Sequence, residues 1–132
     1  MATAAITITT ADDNINLQGT VDGGKALTLV SGSGAVNVDG AIGGSTALTS
    51  LTVNSSGAGT VEINNIGTSS AAGVTGATAI GNANTGTLTL GGTVYTTNAA
   101  TYTAATGENI DLTGAATTTF TSSNDDAVSY TH

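Results

Sequence analysis

Five short alternating segments recur along this chain, and their recurrence constrains the fold more than any other feature. With the first apolar residue of each copy as position zero, the copies begin at Ile15, Val36, Val61, Leu88 and Ile110. Position +2 is apolar in all five: Leu17, Val38, Ile63, Leu90 and Leu112. The residue between is polar: Asn16, Asn37, Glu62, Thr89 and Asp111. Position +4 is Gly19, Gly40, Asn65, Gly92 and Gly114. Position +6 is Val21, Ile42, Gly67, Val94 and Ala116, with Ile66 one place early in the third copy. The starts lie 21, 25, 27 and 22 residues apart (36 − 15, 61 − 36, 88 − 61, 110 − 88). A pattern repeating every ~20–50 residues marks a solenoid or array, in which stacked neighbours bury a face that one copy cannot bury alone.

A second, looser strand precedes each start. Ile6–Ile8, Leu27–Leu29 and Leu51–Val53 carry it clearly, and Ile80 and Tyr102 mark it in the later copies. Each period then holds a tight strand, a Gly-marked bend, a short third segment and a second strand. No 3.6-residue apolar stripe persists, so no helix is expected. The expected fold is all-β: one right-handed parallel β-helix segment spanning 1–132, of about five coils. Residues at zero and +2 point inward and stack on their equivalents, and +1 points out. The alternative is a β-sandwich, in which the same strands pair antiparallel.

Three regions are less regular. The chain reads as beginning mid-coil, because Ile6–Ile8 occupies a second-strand slot. Residues 68–86 are the loosest stretch and read as an irregular coil or a surface loop. Residues 115–132 lose the pattern, with a turn at Asn124-Asp125-Asp126 before Val128-Ser129-Tyr130. Tyr95, Tyr102, Phe120 and Tyr130 all fall late in the chain, which points to a wider core there.

Composition bounds the partners. The formal charge is −8, from nine acidic residues against Lys25, and Arg is absent. Such a surface repels phosphate backbones, which excludes nucleic acid as a partner. Only 8% of residues are charged, against a typical value of roughly 25%. The difference is filled by Thr, Ser, Asn and Gly. With no Pro, no ladder donor is missing. With no Cys, there is no disulfide framework. No apolar run approaches the ~20 residues of a membrane-spanning helix, so no membrane insertion is expected. Met1-Ala2-Thr3-Ala4-Ala5 lacks the charged and apolar regions of a signal peptide. Together with the mid-coil start, this reads as a piece of a longer array, and His132 reads as either a native residue or the stub of a tag.

NINLQGTVDGGKALTLVSGSGAVNVDGAIGGSTALTSLTV at 14–53, GTLTLGGTVY at 86–95 and ENIDLTGAA at 108–116 carry a family likeness. In repeat style they resemble the β-strand repeat regions of filamentous-haemagglutinin-type proteins, which are large bacterial surface and secreted adhesins. The resemblance covers most of the chain except 68–86 and 117–132. It implies a β-helical shaft, an extracellular or cell-surface location, and a role in attachment or self-association. The implied partners are the chain itself, end to end or within a longer array, and a surface glycan or protein. It implies no catalytic residues.

The residues themselves offer few sites. Catalysis needs converging groups, and here the acids are scattered, Ser has no internal His partner, and Lys25 follows Gly23-Gly24 in a turn. No enzymatic activity and no cofactor are expected. Asp12, Asp13, Asp125 and Asp126 offer hard oxygens and are weak calcium candidates, although Asp and Asn also favour turns. A ligand-binding module for glycan or ice is the alternative function. Tyr95 and Tyr102 are a candidate sugar platform, although core stacking is the more common fate of aromatics. Thr-x-Thr at 7–9, 87–89, 101–103 and 117–119 is a candidate ice array, although the copies do not share one repeat position. Asn54-Ser55-Ser56 is a lone glycosylation sequon.

Overall fold

The computed structural model describes residues 4–54, 58–114, 117–123 and 128–131. Among these there is no helix, and twelve strands build two sheets. Sheet B stacks the tight strands β2 (Ile15–Leu17), β4 (Val36–Val38), β6 (Val61–Ile63), β8 (Leu88–Leu90) and β10 (Ile110–Leu112). Sheet A stacks the second strands β1 (Ile6–Thr9), β3 (Ala26–Val30), β5 (Ser50–Asn54), β7 (Val74–Ile80) and β9 (Val94–Thr103). β9 then pairs with both β11 (Thr119–Ser122) and β12 (Val128–Thr131).

All these strand pairs are parallel. The fold is a β-solenoid of about five turns, and the antiparallel sandwich is excluded. Each coil serves as its own crossover, so parallel strands stack without intervening helices.

The expected register holds in sheet B. Ile15, Val36, Val61, Leu88 and Ile110 pair in one continuous column, and Leu17, Val38, Ile63, Leu90 and Leu112 in another. Val38, Ile63 and Leu90 are wholly buried, whereas the end residue Leu112 is 53% exposed. Each fully buried aliphatic side chain contributes about 1.5–3 kcal/mol. In sheet A, Ile8, Leu29, Val53, Ile80 and Tyr102 form the matching column. Beside it run Ile6, Leu27, Leu51, Thr78 and Ala100.

A third column closes the core, and here one expectation needs correction. Its members are Val21, Ile42, Ile66 and Tyr95, joined by parallel bridges, and then Phe120 opposite Tyr95. Ile66 takes the place one residue early, as expected, but Tyr95 replaces Val94, and Ala116 lies outside the described residues. The bends differ in length. The column residue falls six after the start in the first two coils, but five in the third (66 − 61) and seven in the fourth (95 − 88). Asn65 stands where the other copies have Gly, and its side-chain oxygen accepts the Thr93 and Val94 N–H groups at 2.8 and 3.0 Å. That bond holds the longer fourth bend against the third.

The loose stretch 68–86 contains β7, whose Val74 and Ile80 are wholly buried, so it is an irregular coil rather than a surface loop. β7 shifts register between Val74 and Ala77. The terminal residues Val128–Thr131 do form a strand, and Tyr95, Tyr102 and Phe120 pack together at the core. Tyr95 stacks on Phe120 at 5.1 Å between centroids, and Tyr102 meets both rings edge-on. The Tyr95 hydroxyl donates to Ile63 C=O and accepts from Gly92 N–H, both at 2.9 Å, which satisfies its buried polar tip.

The glycine at +4 has a steric cause. A Cβ on Gly40 would lie 2.1 Å from the Gly19 carbonyl oxygen of the coil before it. On Gly114 it would lie 2.2 Å from Gly92 O. Backbone packs on backbone here, and no side chain fits. At the following bend, Gly43 adds a positive φ of 64°, which glycine adopts without penalty.

Candidate functional site

The polar residues at the coil bends act between coils. Asp22 accepts the backbone N–H groups of Ser45 and Thr46 at 2.8 and 2.9 Å. Asp12 accepts the Ser33 N–H at 2.8 Å and the Ser33 hydroxyl at 3.0 Å. Asn14 accepts the Ala35 N–H at 2.8 Å. Each bond reaches one coil onward, 21 to 24 residues along the chain. Asp12 sits at φ 70°, a left-handed conformation that Asp tolerates better than most residues. The donors explain the acidity of both carboxyls. Thr46 and then Ser45 hold Asp22 below its ordinary value of 3.8. The Ser33 amide, then its hydroxyl, does the same for Asp12.

This placement bears on the calcium candidates. The Asp12 carboxylate is engaged as a cap for the next coil, and Asp13, exposed beside it, offers its carbonyl to the Thr10 hydroxyl. Among the described residues, no three His, Cys, Asp or Glu side chains converge on a point. Asp125, Asp126 and His132 lie outside the described residues, as do Ser55 and Ser56 of the sequon.

Sheet B carries the acidic face. Its outward column is Asn16, Asn37, Glu62, Thr89 and Asp111, in register. Glu62 and Asp111 are two strand spacings apart, about 9.6 Å, with Thr89 between them. They are too far apart to share a proton. At the amino-terminal end a small depression is lined by Ile6, Val21, Leu27 and Leu48, with Asp22 and Lys25 at its rim. Its cavity volume is about 60 Å³, far below the ~300–1,000 Å³ of small-molecule pockets.

The structure decides between core and sugar platform for the tyrosines, and it changes one expectation about the threonines. Tyr95 and Tyr102 are 1% and 0% exposed, so they form core and no sugar platform. The Thr-x-Thr copies at 7–9 and 101–103 do share a position. Thr7 pairs through Thr28, Thr52 and Ala79 to Thr101, on the outward side of sheet A.

No protein-family model matches this chain, and no curated protein and no solved structure matches it.

Proposed function

We propose that this chain is a non-catalytic, stiff shaft segment of an extracellular fibrous adhesin. The supporting observation is the unbroken parallel register of the sheet B columns from Ile15 to Ile110. Such a stack is quasi-one-dimensional: each coil contacts its neighbours, and length grows with coil number. The repeat style, similar to filamentous-haemagglutinin-type shafts, supports the surface location and the adhesive role. On this reading the partners are further coils of a longer array and a surface glycan or protein met elsewhere on it.

The test is coil duplication. One register period runs from Val36 to the residue before Val61, 25 residues (61 − 36). Four added copies of 36–60 should lengthen the particle in solution scattering by about 19 Å at constant cross-section. An unchanged maximum dimension, or a growing cross-section, refutes the shaft.

A further inference from the structure

Charge is unevenly distributed around the solenoid. The strands of sheet A contain no Asp, Glu, Lys or Arg. Asp12, Asp13, Asp22, Lys25 and Glu108 lie in the bends, and Asp39, Glu62 and Asp111 lie on or beside sheet B. The outer side of sheet A is therefore a neutral face on an acidic protein.

That face is also periodic. Its central column is Thr7, Thr28, Thr52, Ala79 and Thr101, each between two inward-facing neighbours on its own strand. The flanking outward pairs are small: Ala26 with Ser50, and Ala77 with Ala99. On the other side Thr9 stands against Val30, and no described side chain in these positions is larger than valine. Parallel pairing sets the column spacing at about 4.8 Å. Threonine is β-branched, so its χ1 is restricted and its methyl and hydroxyl groups repeat in a fixed arrangement.

The chemistry of the face narrows what it can bind. Without charge it attracts no ion. Without an exposed ring it offers no stacking platform for sugars, since Tyr95 and Tyr102 are buried. It is a column of threonines in parallel register, interrupted once at Ala79. Hexagonal ice repeats along its a axis at close to the coil spacing. Hydroxyls at that period can join ordered water, and the methyls between them exclude the disordered water that charged groups would hold. We propose that the outer face of sheet A binds ice, with Thr7, Thr28, Thr52 and Thr101 as the contact column. Ala79 is the break in that column.

The experiment measures thermal hysteresis and ice-crystal shape with the 132-residue chain, with circular dichroism melts confirming that each variant is folded. The unmodified chain should facet ice and depress its growth temperature. Thr52→Glu should abolish the effect, because it places a carboxylate in the middle of the column. Asn16→Glu, exposed on sheet B, should leave it unchanged. Ala79→Thr, which completes the column, should increase it. A folded chain that neither shapes ice nor shows hysteresis overturns the proposal. So does equal loss in Thr52→Glu and Asn16→Glu, or co-sedimentation with crystalline cellulose without any effect on ice. The shaft reading does not depend on these outcomes, because coil duplication tests it separately.

Discussion

Gly19 and Gly40 occupy the same position in successive coils, yet alanine should affect them oppositely. A Cβ on Gly40 would lie 2.1 Å from Gly19 O, 2.3 Å from Gly19 C and 2.7 Å from Thr20 N. These are backbone atoms, so no rotamer change relieves the overlap. The two coils must separate locally by about 1.4 Å, given an ordinary carbon–oxygen contact near 3.5 Å. Two ladder bonds bracket the site, Asp39 N–H to Leu17 C=O at 2.9 Å and Val21 N–H to Ala41 C=O at 3.0 Å. Overpacking costs about 1–3 kcal/mol, and weakening one bracketing bond adds about 1 kcal/mol. The lower unfolded-state entropy of alanine returns about 0.4–1 kcal/mol. The net expectation for Gly40→Ala is a loss of about 1.5–3 kcal/mol. A Cβ on Gly19 meets nothing within 4 Å, and its φ is not in the left-handed range. Gly19→Ala should therefore leave stability unchanged or raise it by up to about 1 kcal/mol. Urea denaturation followed by circular dichroism reads both. Equal destabilisation by the two substitutions, or none by either, would refute the inter-coil contact as the reason for glycine at +4.

Other expectations follow from buried polar groups, titration and metal. Thr78 is 3% exposed in the Leu27–Leu51–Ala100 column, and its hydroxyl has no hydrogen-bond partner. Thr78→Val keeps the shape and should raise stability by about 1 kcal/mol; a loss in urea denaturation would show that the hydroxyl is satisfied. Val38→Asp buries an unpaired carboxylate between Leu17 and Ile63 and should cost about 3 kcal/mol or more; Asn16→Asp, facing water, should cost well under about 1 kcal/mol. Asp12 and Asp22 titrate below 3.8 in the folded chain, so the folded state holds fewer protons than the unfolded chain in that window. Their contribution is complete above the unfolded value and disappears as pH falls through the lowered one; melting temperature should drop in that interval, and by less in Asp22→Asn. Excess chelator should leave the melting temperature unchanged, and a fall restored by calcium would instead assign a metal to the acidic turns, since a ligand of the native state must raise stability.

The sheet B ladders were legible because three-residue strands with strict alternation admit one inward register. In sheet A the strands at Ile6–Ile8, Leu27–Leu29 and Leu51–Val53 were legible from the same alternation, whereas Ile80 and Tyr102 only marked the longer β7 and β9. The third column was not, because bends of unequal length move it from Val94 to Tyr95, and the Asn65 bond that fixes the bend joins residues 28 and 29 positions apart. Asp12 and Asp22 look like turn residues in sequence; their role depends on donors one coil away. The neutral threonine column was hidden by a count. Thr7 lies eight residues before Ile15 and Thr101 nine before Ile110 (15 − 7, 110 − 101), so aligning copies by their starts separates residues that stack. The buried hydroxyl of Thr78 was missed because hydropathy marks the position as outward.

The coil columns, the shaft and the threonine face all rest on one register, and a cysteine pair tests it most directly. The chain has no cysteine of its own. Thr28 and Thr52 are paired in parallel, so their Cα atoms lie about 4.8 Å apart, within the ~4.4–6.8 Å of a disulfide. Thr49 is three residues from Thr52, about 10 Å along the strand. Under mild oxidation the Thr28→Cys/Thr52→Cys chain should cross-link fully and gain stability, while Thr28→Cys/Thr49→Cys should stay reduced. Cross-linking of the second pair in preference to the first would contradict the in-register parallel solenoid.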